Sequence, residues 1–202
     1  MDSSTITFVS TISEYPWLYW RIALTLGSDE NGGCRADGGR HMDAVRLIAA
    51  GRHTLAQSGA AWDIVSEAWQ AQALAQGIGG YLAVTGPPEL RAEARGLGEA
   101  GGRGCGVLDR AALRGEGSAP ERPPRAAQLA GVSDVRQALL GLQALLGEVG
   151  IALVGVACGT DDEALYWQCI ESIDAADESS DRVRAILRKM TVRERGSASG
   201  VL

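Results

Sequence analysis

Val135, Leu139, Leu142, Leu146, Val149, Leu153 and Val156 recur at spacings of 4-3-4-3-4-3. Alternating steps of three and four set side chains along one line of an α-helix, a period no strand has. Leu140, Leu145, Ile151 and Val154 fall off that line, so the helix is apolar round most of its circumference and is expected at the centre of a bundle. The branched residues after Gly150 also suit a buried strand, but the seven-residue phase runs into them unbroken. Glycines at 141, 147, 150 and 155 each cost about 1 kcal/mol against alanine in a helix. Close approach of neighbouring backbones is the expected compensation.

Upstream, Ile48, Leu55, Trp62 and Trp69 recur every seven residues and predict one long amphipathic helix from Asp43 to about Gln76. Gly77, Gly79 and Gly80 loosen it, and Gly86-Pro87-Pro88 ends the stretch after them. Pro88 suits the first position of a second helix through Leu90, Ala94 and Leu97. Ser133 is placed to cap the seam helix, and Thr160-Asp161-Asp162-Glu163 matches a capping box opening a helix through Leu165, Tyr166, Ile170 and Ile173. Val183, Ile186 and Leu187 extend that helix or form another. The expected fold is all-α, a single antiparallel four-helix bundle over residues 42–195, with five segments if one helix is broken. An internal loop is expected at about 102–131 and a disordered tail at 196–202.

Residues 1–41 hold five of the ten aromatics but only two alanines, against 29 alanines in 42–202. They read as a disordered arm, or as a non-native extension ahead of a start at Met42. A net charge of -6 argues against a general nucleic-acid binder. The first residues lack a basic stretch before an apolar run, so no secretory signal is expected. Glu148 sits inside the one apolar stretch of membrane length and would cost about 2.5–3.5 kcal/mol in lipid. No membrane span is expected, and the chain reads as cytoplasmic. Cys34, Cys105, Cys158 and Cys169 are scattered without a CxxC pair and read as reduced thiols.

Little of the sequence carries chemistry. Gly96 to Gly101 is a literal GxGxxG, but the dinucleotide fingerprint needs a strand before it and a helix after it, and here helix precedes and glycine comes next. His41 and His53 are the two histidines; with no ExxH and no paired cysteines, no metal ligand set and no cofactor site is expected. Arg46 and His53 have the Arg-x6-His spacing that resembles the active-site motif of the HEPN ribonuclease class. That resemblance implies charge and acid–base roles on an RNA phosphodiester, yet it covers two residues on an early helix, where the motif belongs to a late one. Glu171, Asp174, Glu178 and Asp181 align four carboxylates on one helical face, either a solvated surface or a docking stripe for a basic partner. Trp62, Trp69 and Trp167 are read as bundle core, with a pocket between helices as the alternative.

Several runs are together similar to a family of small actinobacterial proteins of unknown function. They are MDAVRLIAAGRHT at 42–54, AWQAQALAQG at 68–77, GPPELRA at 86–92, GGRGCGVLDR at 101–110, VGIALVGVACG at 149–159 and LYWQCIES at 165–172. The resemblance covers about 42–195 and implies no activity, ligand or catalytic residue. The function expected on these grounds is a non-enzymatic interaction or regulatory protein with a protein partner or a second copy. The alternative is a small-molecule-binding or hydrolytic bundle with a pocket near the tryptophans and His53.

Overall fold

The seam helix is the most apolar element of the computed structural model, which describes residues 42–107 and 124–199. The described chain begins with a two-residue strand, β1 (Met42–Asp43), and helices α1 (Ala44–Gln57) and α2 (Ala61–Thr85). A single 3-10 turn at Pro88–Leu90 leads into α3 (Arg91–Val107). A second 3-10 turn (Arg125–Gln128) and strand β2 (Leu129–Gly131) then precede α4 (Val135–Gly159) and α5 (Glu163–Ser199). The all-α class expected from the sequence is what the chain adopts, in five helices among the described residues. The parallel pairing of β1 with β2, Met42 opposite Leu129 and Asp43 opposite Gly131, is a small addition to it.

Helix α2 packs on α3 and α4, α5 packs on α3 and α4, and α1 lies against α2 and α4. Leu74, Ile78, Leu97, Leu142, Leu153 and Ile186 are fully buried between them. Each such side chain contributes about 1.5–3 kcal/mol relative to exposure. The α2–α3 contact is the tightest. A Cβ at Gly79 would overlap the Gly98 nitrogen, and one at Gly101 would stand 2.5 Å from the Gln76 nitrogen. The paired numbers rise on one helix as they fall on the other, so α2 and α3 run in opposite senses. Gly77, Gly79 and Gly80 do not loosen α2, which runs unbroken through them: α3 crosses at Gly79, and Gly77 faces Ala126 and Leu129.

Other expectations shift. The long helix from Asp43 to Gln76 is two helices, broken at Ser58–Ala60, where the Ser58 N–H bonds the Leu55 carbonyl and its hydroxyl bonds that of Thr54. The heptad phase does not survive the break: Ile48 and Leu55 are buried, but Trp62 is 51% exposed. Trp167 is 55% exposed, so of the three tryptophans only Trp69, half-buried, approaches the core. Asp134 rather than Ser133 caps α4, accepting from the Gln137 N–H at 2.9 Å. Asp162 rather than Thr160 caps α5, accepting from the N–H groups of Ala164 and Leu165. Helix α3 runs through 102–107, inside the expected loop, and α5 runs to Ser199, past the expected end at 195. Residues 1–41, 108–123 and 200–202, with the arm, the loop core and the last of the tail, lie outside the described residues.

Asp43 joins the two helix starts. One carboxylate oxygen accepts from the Val45 N–H at 2.9 Å and the other from the Ser133 N–H at 2.8 Å, 90 residues away. The Ser133 amide, with help from Val45, holds the carboxyl below its ordinary value against a smaller opposing effect of burial. A carboxyl depressed in the fold stabilises it above its unfolded pKa, about 3.9, and loses that contribution as pH falls through the folded value.

Two outcomes are expected. Gly79→Ala destabilises by about 1–3 kcal/mol in urea titration, although alanine favours helix, because its methyl meets backbone. Asp43→Ala costs about 1–2 kcal/mol at pH 7, and the difference from wild type shrinks as pH falls below the unfolded carboxyl value of about 3.9.

Candidate functional site

Arg46 and His53 project two turns apart from the exposed side of α1. The His53 ring nitrogen Nε2 lies 3.1 Å from Gln57 Nε2, one turn on along the same helix. The geometry assembles no phosphate cradle around them. Arg52, between them in sequence, grips Glu148 on α4 through Nε at 3.0 Å to each oxygen and through Nη2.

The acidic row on α5 is half consumed by ion pairs. Glu178 pairs with Arg103 at 2.5 Å and Asp181 with Arg184 at 2.7 Å. Glu171 and Asp174 stand exposed. Among the described residues no group of three or more metal-binding side chains converges, the row included. The GxGxxG run lies inside α3 and serves as its packing face: Gly98 and Gly101 meet the α2 backbone, and no strand leads into it.

Two features have no counterpart in the sequence reading. The first is a row of polar side chains in the interior. The guanidinium of Arg125 makes a bidentate pair with Glu67, at 2.5 and 2.8 Å, with the two side chains only 11% and 6% exposed. The Arg125 backbone N–H donates to Gln70 Oε1 at 2.7 Å. Further along α2, Gln72 Oε1 accepts from the buried Ser179 hydroxyl at 3.1 Å, and its Nε2 is buried without a partner. Gly104 makes room for this amide, since a Cβ there would lie 2.6 Å from it. Cys105 beside it reaches the Trp69 carbonyl at 3.9 Å, and burial pushes its thiol up to about 12. A thiol held neutral in this way is a poor nucleophile. The row is structural: it fixes the 3-10 turn and α5 against α2.

The second feature is the outer face of α4. The seam faces inward as expected, with Leu139, Leu142, Leu146, Val149 and Leu153 buried. The rest of the circumference does not. Ile151 is 76% exposed, Leu140 52% and Val154 49%, and Gly147, Gly155 and Cys158 are exposed among them. All six fall within about a third of the helix circumference at about 100° per residue. Among the described residues, α4 is thus an edge element, not one wrapped on most sides. Glycines 147, 150 and 155 have nothing within 4 Å of a Cβ, so close packing accounts only for Gly141, whose Cβ would meet Ile48 at 3.3 Å. The helix is long and apolar enough to cross a membrane by length and composition alone, with 39% of that stretch buried. The seam's own spacing holds the missed signal, since the off-seam residues 140, 147, 151, 154 and 158 share a second line.

A cleft of about 640 Å3 opens where α2 ends and α4 begins, lined by Tyr81, Leu90, Val132, Val135 and Met190 with Arg193 and Glu194 at its rim. Neither Arg46 nor His53 lines it. Its charged rim is engaged: Arg193 with Glu89 at 3.3 Å, Glu194 with Arg136 at 2.7 Å.

Removing one member of a buried ion pair strands the other charge, which costs about 3–5 kcal/mol. Glu67→Ala is expected to lose that much in chemical denaturation, whereas Glu171→Ala on the exposed row stays within about 0.5 kcal/mol of wild type.

No curated protein and no solved structure matches the chain. A family model described as a family of unknown function, DUF6099, matches residues 42–189, the same helical unit that carries the buried polar row and the bare face of α4. The chain belongs to that family.

Proposed function

We propose that the chain is a non-enzymatic interaction protein that works from the outer face of α4. The observation that carries this reading is the line of Leu140, Ile151 and Val154, bare of any cover from the described chain. Full burial of such side chains is worth about 1.5–3 kcal/mol each, so their present exposure leaves roughly 3–5 kcal/mol for a partner to gain. Contiguous apolar surface of this kind marks interaction sites in proteins. The catalytic reading of Arg46 and His53 lacks a concave site to support it. The acidic row, with two of four carboxylates already paired, is a weaker docking stripe than the sequence suggests. Free thiols at Cys105, Cys158 and Cys169 support a reducing, cytoplasmic setting.

A small-molecule reading attaches to the cleft by Tyr81 and Met190, whose volume lies in the range of ligand sites, about 300–1,000 Å3. Its open mouth and paired rim charges favour it less.

In native extract the wild-type chain is expected to migrate above the 21.1 kDa of a single copy. Ile151→Glu, at a side chain that is 76% exposed among the described residues, is expected to return it to that mass with helix content unchanged. Both proteins running as single copies would remove the reading.

A further inference from the structure

We infer that the α4 face is the interface of a twofold-symmetric homodimer whose axis passes Gly147. The inference rests on the reading of α4 as the working surface and adds its occupant. An isologous interface must be self-complementary: when residue i meets residue j, j must meet i. The face has that symmetry. Leu140 and Val154 stand seven residues to either side of Gly147, so a copy laid across it in the opposite sense sets Leu140 against Val154 of the partner subunit, and the reverse. By the same rule Ile151 falls opposite Gln143 of the partner subunit, whose aliphatic stem lies next to the partner's small Ala144.

Gly147 lies at the centre, where two backbones come closest. It carries the helix cost of a glycine, and among the described residues nothing comes within 4 Å of the place a Cβ would take. Contrast Gly79 and Gly101, whose missing side chains admit α3 and α2 to each other. A second α4 is the element that would use the space at Gly147.

Charge points to the same occupant. From Gln137 to Gly159 the helix carries one charge, Glu148, and Arg52 neutralises it. A chain of net charge -6 repels its copy elsewhere, and this strip lets two copies meet without opposing like charges. A strongly charged partner finds no complement on it.

Area sets the strength. From Leu140 to Cys158 the helix rises about 27 Å, and at a helix width of about 10–12 Å two copies cover roughly 600 Å2. That is below the interfaces of permanent complexes, about 1,200 Å2 and upward, and fits a dimer in reversible exchange with its single copies.

Sedimentation equilibrium of the purified full chain is expected to show monomer and dimer in concentration-dependent exchange. Gly147→Gln places a neutral side chain in space that no described residue of the single chain fills. It should keep or raise the melting temperature while weakening dimerisation at least about tenfold. In a Cys34→Ser, Cys158→Ser background, Gly147→Cys should be joined to its copy by a short bis-maleimide, since the axis sets position 147 against itself. A single-chain mass at every concentration overturns the dimer. If Ile151→Glu still dissolves the assembly in extract, the interaction reading survives with another partner; if it does not, both fall. A dimer indifferent to Gly147→Gln overturns the assigned face. Monomers that cosediment with phosphatidylcholine vesicles overturn the dimer in favour of a lipid surface.

Discussion

The approach of α2 to α3 is the constraint on which the remaining architecture is built. Gly79, Gly98 and Gly101 remove the side chains that would hold the two backbones apart, and the helices meet nearly atom on atom. Interiors tolerate little change of volume, so such a contact fixes axial register as well as distance. With α2 and α3 locked, Gly104 receives the Gln72 amide, Gln72 receives Ser179, and α5 is placed against both. Arg182 and Lys189, reaching Glu93 at 3.6 and 3.2 Å, then close the α3–α5 edge from outside.

The Arg125–Glu67 pair shows how the chain returns across the bundle. After α3 the backbone must come back to begin β2, and the 3-10 turn that carries it is held by a forked pair and by Gln70. Buried ion pairs contribute little net stability against an apolar alternative, since desolvation offsets attraction. What this one contributes is position, because the two Glu67 oxygens and the Gln70 amide together fix where Arg125 sits. The family match ends at residue 189, so it takes in the pair and the turn as parts of one helical unit.

Much of the fold was legible from period alone. The 4-3 spacing of the seam, the Gly-Pro-Pro stop and the opening of a helix just after Met42 each reflect a local rule that the tertiary structure had no cause to override. Departures arise where local rules are silent about neighbours. A seven-residue phase cannot register a break at Ser58–Ala60, since the break keeps the spacing and changes only the direction. Hydrophobicity round a helix says that the helix is apolar, not which elements pack on it, so period alone puts α4 at a centre it does not occupy among the described residues. Capping shifts by one residue at α4 and two at α5 because Ser133, Asp134, Thr160 and Asp162 all suit the role, and only backbone angles choose. Of the candidate site, the sequence contained the pattern of Leu140, Gly147 and Val154 but offered no means of telling a bare face from a buried one. The Glu67–Arg125 pair, 58 residues apart in sequence, had no local signature.

Helices α1 and α4 lie side by side with their amino ends level, Asp43 against Ser133 at one end and Arg52 against Glu148 further along. Two helices in this arrangement set their positive macrodipole ends together, an electrostatic cost that falls off within a turn. Asp43 serves as a shared counter-ion for both ends, and Asp134 reinforces the second. The unit thus couples the first and fourth helices through one carboxylate near its amino edge, and unravelling of either end should propagate to the other rather than remain a local fray.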